Sequence, residues 1–270
     1  MASKLVHRHS LIVRLSHWLS VIAVALLIGT GLNIFNAHPA LYWGHKGTNI
    51  DTGARWLQIG AMRAPDGTLT GQTIIGTASF NTTGILGLSK TASAAPQMIA
   101  FPSWATLPSR RNLGLARNWH FFAAWLLVGT GTLYLTYGLL SGHLRRLIPT
   151  AKDLAPKNIA HDIKDHLRLH FPKGEAALSY QVLQKIAYAG VALILLPLMV
   201  LSGLGMSPGM DASWPVIVDA FGGRQSARSV HFIACTLILA FIAVHMLMLL
   251  AAGPFRLLRG MITGWQKVTT

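Results

Sequence analysis

The chain has 270 residues, of which 52% are hydrophobic and only 11% charged, and its mean hydropathy is +0.46. That balance excludes an ordinary soluble domain and identifies an integral membrane protein. The net charge of +15 could suggest nucleic acid as a partner, but much of the Lys and Arg flanks apolar runs, as membrane topology requires, and nucleic acid is set aside.

Lys4, Arg8 and Arg14 precede an apolar run from Leu15 to about Phe35. It reads as a retained first span rather than a signal peptide, because no small-residue cleavage site follows and His17-Trp18 would be out of place in one. Residues 36 to about 116 form a long mixed segment rich in Gly, Thr, Ser and Pro, a length that signals a functional excursion rather than a connector. Within it, Arg55 to Ala64, the turn Pro65-Asp66-Gly67 and Thr68 to Gly76 predict a hairpin. His38, Trp43 and His45 near its start, and Phe101-Pro102-Ser103-Trp104 near its end, fit a membrane interface.

The second span runs from Trp119 to about Leu140 and opens at His120. Ser141 to Lys185 carries eight Lys or Arg against four acids, with an amphipathic stretch around His161 to His170. The third span, Ile186 to about Met206, contains no histidine, and Pro197 in its middle predicts a kink. A short loop with Pro208, Pro215 and Gly222-Gly223 leads to the fourth span, Val230 to Ala252. The tail from Pro254 carries Arg256, Arg259 and Lys267. Leu-Leu-Ile-Gly-Thr-Gly at 26–31 resembles Leu-Leu-Val-Gly-Thr-Gly at 126–131, too little for a duplicated fold. The expected fold class is an all-α membrane protein, a single domain over 1–270 built as a four-helix transmembrane bundle with a long insertion between spans one and two.

Four spans put both termini on one side. The N-terminus, the 141–185 segment and the tail hold three, eight and three basic residues, whereas the 207–229 loop holds two. The positive-inside rule therefore places both termini in the cytoplasm and the 36–116 insertion outside.

His231 and His245 lie fourteen residues apart in the last span. On a helix that is about 21 Å and nearly four full turns, so both imidazoles leave from nearly one face, one near each edge of the hydrocarbon. The topology puts His120 at the depth of His231, and His17 at the depth of His245. Intramembrane ionisable residues are usually functional, and imidazole suits iron, zinc and copper. Histidines hydrogen-bonded between helices are the plainer alternative.

Two pairs suit two bis-imidazole sites. Zinc would want three or four ligands at each, and no predicted span carries Asp or Glu. Haem iron needs only two axial ligands, which makes two haems the expectation, with His17, His120, His231 and His245 as metal ligands. The single cysteine, Cys235, excludes Cys-x-x-Cys-His attachment, so such haem is held non-covalently. Gly29, Gly31, Gly129 and Gly131 fall where a flat ring could approach a backbone, or serve ordinary helix packing. Arg14, Arg117 and Arg228 each precede a proposed ligand by three residues and share its helix face. They are candidates for the propionates, with snorkelling to lipid headgroups as the alternative. His143 falls at or beyond the inner surface, where it could contact a quinone headgroup, a propionate or solvent.

Arg14-Leu-Ser-His17-Trp18, Arg117-Asn-Trp-His120, and His231 with His245 resemble the bacterial cytochrome b561-like superfamily. That group includes the cytochrome b subunits of formate dehydrogenases, nickel-iron hydrogenases and thiosulfate reductases. Asn36-Ala-His-Pro-Ala-Leu-Tyr-Trp43 is most similar to the thiosulfate-reductase-type branch. The resemblance covers all four spans. It implies two haem b groups, exchangeable quinone or quinol, and residence in the bacterial inner membrane with the insertion in the periplasm. It also implies a periplasmic redox partner, a molybdenum-cofactor oxidoreductase or an iron-sulfur protein. The implied role is an electron-transfer subunit rather than a complete enzyme. Hydrogenase and formate dehydrogenase subunits have shorter outer loops, so their docking geometry does not carry over. Two other readings stay open: a stand-alone b561-type quinone reductase or superoxide oxidase, and a histidine-lined transporter or metal channel.

Overall fold

A computed structural model describes residues 3–47, 54–90, 96–172, 174 and 178–269. Parts of the predicted insertion, 48–53 and 91–95, and Lys173 and Glu175 of the basic segment lie outside the described residues. The helices are α1 (Leu11–Phe35), α2 (Leu113–Leu140), α3 (Pro156–Leu167), α4 (Val182–Gly205), α5 (Pro208–Ser213), α6 (Pro215–Ala220), α7 (Arg224–Ala251) and α8 (Pro254–Thr263). The strands are β1 (Ser3–His7), β2 (Ala40–Leu41), β3 (Leu57–Arg63), β4 (Leu69–Ile75), β5 (Ala78–Asn81), β6 (Ser89–Lys90), β7 (Pro96–Gln97) and β8 (Trp265–Thr269).

The four helices α1, α2, α4 and α7, of 25, 28, 24 and 28 residues, are long and apolar enough to cross a membrane. Each begins four to six residues before the apolar run that predicts it. Hydropathy marks what must sit in hydrocarbon, whereas the backbone ladder continues into the interface, where charged side chains reach water. Within their most apolar windows only 17%, 22%, 6% and 11% of residues are buried inside the protein. The rest of that surface needs lipid or another apolar group against it.

Pro197 has no N–H to give the carbonyl four residues earlier. The expected irregularity takes the form of a π-helical turn at Val191–Leu195, just before the proline, with the Leu196 N–H reaching back to the Val191 carbonyl. α2 stops at Leu140 because Gly142 takes a left-handed conformation, φ 70°, which only glycine adopts freely. His143 therefore sits in a short turn, His143–Arg146, rather than further along a straight helix.

The all-α expectation holds for the spanning helices and fails between α1 and α2, where β2-β3-β4-β5 form a four-stranded antiparallel sheet. The predicted hairpin is present, with Leu57 opposite Ile75 and Arg63 opposite Leu69. Asp66 Oδ1 closes its turn by accepting from the Thr68 N–H and hydroxyl at 3.0 and 2.7 Å. That exposed carboxyl lies below its ordinary range because the Thr68 hydroxyl, and then the Thr68 N–H, hydrogen-bond its charged form. The 207–229 loop is also more ordered than expected. It folds into α5 and α6, each with Pro at its start, where a missing N–H costs nothing.

The chain divides into two compact units. One comprises Ile22–Leu127 and Leu198–Cys235. Its core is Phe35, Leu41, Leu57, Ile59 and Ala100, so the end of α1 packs under the sheet. Two buried asparagines, Asn33 in the last turn of α1 and Asn36 just after it, fasten the chain there. Asn36 exchanges hydrogen bonds with the Phe101 backbone at 3.0 and 2.8 Å. Asn33 donates to the carbonyls of Pro108 and Arg110 at 2.7 and 3.0 Å.

The other unit comprises Met1–Val21, Val128–Pro197 and Thr236–Thr270. Here β1 pairs antiparallel with β8, Ser3 opposite Thr269 through His7 opposite Trp265, which sequence patterning did not anticipate. Both termini therefore share one side, as an even number of spans requires. Trp18 Nε1 donates to the Met261 carbonyl at 3.2 Å and ties α1 to α8. The predicted amphipathic stretch is α3, whose buried Asp162 accepts from the Leu183 N–H at 2.7 Å and caps the start of α4. Asp153 bonds Lys185 at 2.9 Å. Its carboxyl is held down to about 2, first by the Thr150 N–H and then by Lys185.

Asn33→Ala strands two carbonyls in a buried position, a loss of about 1–3 kcal/mol. A clear fall in the melting temperature of the detergent-solubilised protein is expected, whereas alanine at the exposed Asn118 should leave it nearly unchanged. Equal melting temperatures for the two variants would show that Asn33 does not fasten the insertion.

Candidate functional site

His120 and His231 stand with ring centroids 6.4 Å apart and ring planes at 54°. Two imidazoles on opposite sides of one metal, with metal–nitrogen bonds of about 2 Å, put their ring centres roughly 6 Å apart. The separation therefore suits a shared metal.

Each ring is held from behind in the same manner. Thr30 Oγ1 lies 3.0 Å from His120 Nδ1 and donates its own proton to the Leu26 carbonyl at 2.6 Å. Ser202 Oγ lies 3.0 Å from His231 Nδ1 and donates to the Leu198 carbonyl at 2.6 Å. A hydroxyl has one proton, so an oxygen already donating to a carbonyl meets the ring nitrogen as acceptor. The residue after each hydroxyl is glycine. A Cβ on Gly31 would stand 3.4 Å from His120 Cε1, and one on Gly203 would stand 3.6 Å from His231 Cε1. Small residues let both rings lie close against the neighbouring backbone.

His17 and His245 belong to the other unit, close enough to interact electrostatically. His245 stacks on Phe241, centroids 5.7 Å apart, and meets the edge of Tyr188 at 6.1 Å. His17 meets Trp18 edge-on at 5.2 Å. Its Nδ1 is buried without a hydrogen-bond partner among the described residues, and the same is true of Ser16 Oγ and Arg14 Nε. Three orphaned polar atoms in four residues are expensive in an apolar setting and fit a polar or anionic group bound there.

The three arginines differ. Arg14, which keeps that unpaired donor, lies against Gly264, where a Cβ would come within 2.7 Å of its Nη1. Arg228 donates to the His38 carbonyl and lies over the Phe35 ring at 5.6 Å. Arg117 is exposed and lies over Phe121 at 5.8 Å. The glycines differ as well. Gly29 is taken by the Leu107 side chain, 2.7 Å from where its Cβ would be, and Gly31 faces His120. Gly129 and Gly131 border open space, with nothing within 4 Å of an added Cβ. No group of three or more His, Cys, Asp or Glu able to hold a bare metal ion occurs among the described residues. Two imidazoles suit a metal group that brings further ligands of its own.

A cavity of about 450 Å³ lies in the His17–His245 unit, lined by Arg8, His143, Arg146, Leu178, Ser179, Tyr180 and Lys185. Arg8 lies over the Tyr180 ring at 5.9 Å, and His143 meets the edge of Tyr134 at 6.1 Å. Burial, and then the neighbouring Arg146, push the His143 imidazole below its ordinary value, so it is neutral at pH 7. His9 nearby is pushed down to about 4 by burial and then by Arg8 and His143. Sequence reasoning located His143 but missed Arg8, Tyr180 and Lys185, which approach it only through folding. It also missed Thr30 and Ser202. The shared signal was a hydroxyl–glycine pair, Thr30-Gly31 and Ser202-Gly203, inside apolar runs.

Comparison with known proteins bears on these residues. No solved structure matches the chain. A putative protein-methionine-sulfoxide reductase subunit, YedZ1, of Azospira oryzae is 27% identical over 252 residues, 93% of each chain. The family model for prokaryotic cytochrome b561 matches residues 8–264, which takes in all four histidines and all four long helices. Proteins of that family bind haem b. With an integral membrane architecture and paired imidazoles that suit a shared metal, the chain belongs to the prokaryotic cytochrome b561 family.

Proposed function

We propose that the chain is a di-haem b-type cytochrome subunit that passes electrons across the inner membrane between the quinone pool and a periplasmic oxidoreductase. The observation that carries this reading is the 6.4 Å spacing of His120 and His231, each anchored through Nδ1, which suits Nε2 ligation of one iron. His17 and His245 would hold the second haem. Haem b held by these histidines would supply a one-electron couple, so the chain's own chemistry would be electron transfer. Arg14, with its unpaired buried donor, holds a propionate of the second group. Arg228 and Arg117 serve the first, and each keeps donors beyond its present contacts.

The cavity beside His143 is the candidate quinol site in this reading. Its neutral imidazole can accept a proton from a quinol hydroxyl, and Tyr180, Arg8 and Arg146 offer donors to the ring oxygens. The basic 141–185 segment and the shared side of the two termini support the cytoplasmic face for this end, with the β-rich insertion in the periplasm. The insertion is then the natural surface for a partner of the molybdenum-cofactor or iron-sulfur kind. The relative named as a subunit of a protein-methionine-sulfoxide reductase favours a reductase there, and hence electron flow from quinol outward.

Reduced-minus-oxidised spectra test the ligand pairing. Wild-type protein should show two low-spin b haems. His120→Ala and His231→Ala should each abolish the same one, and His17→Ala and His245→Ala the other. Two intact haems in any of the four variants would contradict the pairing.

His143→Gln should slow haem reduction by a short-chain quinol analogue by about 100-fold, the smaller end of the range for a positioned acid–base group, with both haem spectra intact. An unchanged rate would move the quinol site elsewhere.

A further inference from the structure

We propose that Thr30 and Ser202 are positioning residues for His120 and His231: each hydroxyl accepts the Nδ1 proton, fixing the tautomer whose Nε2 lone pair faces the metal. The inference rests on the reading of these two histidines as axial ligands. It also gives α4, the spanning helix without a histidine, a defined part in the centre.

The geometry leaves little freedom in the proton assignment. Both hydroxyls sit in helices and bond back to the carbonyl four residues earlier at 2.6 Å. Each also has a weaker approach to the carbonyl three residues earlier, Leu27 at 3.3 Å and Met199 at 3.2 Å. The hydroxyl proton is committed to backbone, and the ring must supply the proton of the 3.0 Å contact. Neutral imidazole carries one proton, so Nε2 is left as a lone pair. Metal-bound histidines commonly give the other ring N–H to an acceptor, which fixes the ring and raises its basicity. Here the nearest acceptor is a hydroxyl already polarised by its own donation, on two different helices, with the Leu27 and Met199 carbonyls behind it also interacting with the rings and a glycine beside each hydroxyl that lets the ring approach. His17 has no such partner at Nδ1 among the described residues. The His17–His245 site is therefore an internal control.

A more basic imidazole stabilises oxidised iron, so loss of the acceptor favours the reduced form. In Thr30→Val and Ser202→Ala, the oxidised-to-reduced equilibrium of the His120–His231 haem should shift about tenfold toward the reduced form, about 59 mV for one electron. The potential of the other haem should not move, and Thr30→Ser and Ser202→Thr should restore wild-type behaviour. Loss of the haem that only the hydroxyl-bearing replacements restore also supports the role. Unchanged potentials, equal shifts at both haems, or equal loss in hydroxyl-bearing and hydroxyl-free variants overturn it.

A second arm does not depend on bound haem. In haem-free protein carrying ¹⁵N-histidine, the nitrogen shifts of His120 and His231 should report protonation at Nδ1 in the wild type and a mixture of tautomers in Thr30→Val and Ser202→Ala. Protonation at Nε2 in the wild type overturns the proposal. Absence of haem from the wild type, or two intact haems in His231→Ala, instead overturns the ligand reading, and the role falls with it.

Discussion

An imidazole in hydrocarbon has two nitrogens to satisfy and no water to do it. That constraint organises this molecule. For His120 and His231 the solution is a serine or threonine on a neighbouring helix, itself satisfied by its own backbone, which takes one nitrogen and leaves the other without a claim from that helix. The rest of the membrane region follows from accommodating two such rings. Glycine stands beside each hydroxyl, and little of each helix's apolar face is buried against protein. Isolated polar groups in such a setting cost several kcal/mol, about the scale of a domain's whole stability. A histidine pair without a purpose would be hard to retain.

The two histidine pairs are not equivalent. His120 and His231 are pre-set by hydroxyls, whereas His245 is packed against Phe241 and Tyr188, and His17 keeps a buried, unpaired Nδ1 beside the unpaired Nε of Arg14. In the proposed two-haem relay this asymmetry would bear on potential, because a ligand's second nitrogen and the charge around the group are the protein's main controls over a bound iron. The cavity lined by His143, Tyr180 and three cationic side chains belongs to the unit with the less constrained pair.

The β-rich segment between α1 and α2 is bound to α1 by two asparagines at the end of that helix, one in its last turn and one just after it. Asparagine is a poor helix former in general, but one amide can satisfy two backbone groups of an irregular chain at once. Phe35 beside them belongs both to α1 and to the core under the sheet, so the helix end and the insertion share one hydrophobic cluster.

Much of this was legible in the sequence because membrane physics writes in one dimension. Hydropathy marked four long apolar helices, and helical rise with the charge count brought His120 together with His231. Asp66 and Gly67 marked the hairpin turn, and Pro197 marked an irregular stretch in α4. What sequence could not decide depended on contacts between residues far apart in the chain. The Thr30 and Ser202 partnerships join positions 90 and 29 residues apart, and a lone hydroxyl in an apolar helix looks the same whether it faces lipid or a ring. The pairing of β1 with β8 spans nearly the whole chain, and each strand alone is too short and too polar to announce itself. Hydropathy along the chain determines which helices are long and apolar enough to enter a membrane. Only tertiary packing decides which nitrogen of each histidine is left free, because that depends on the donor or acceptor that folding places behind it.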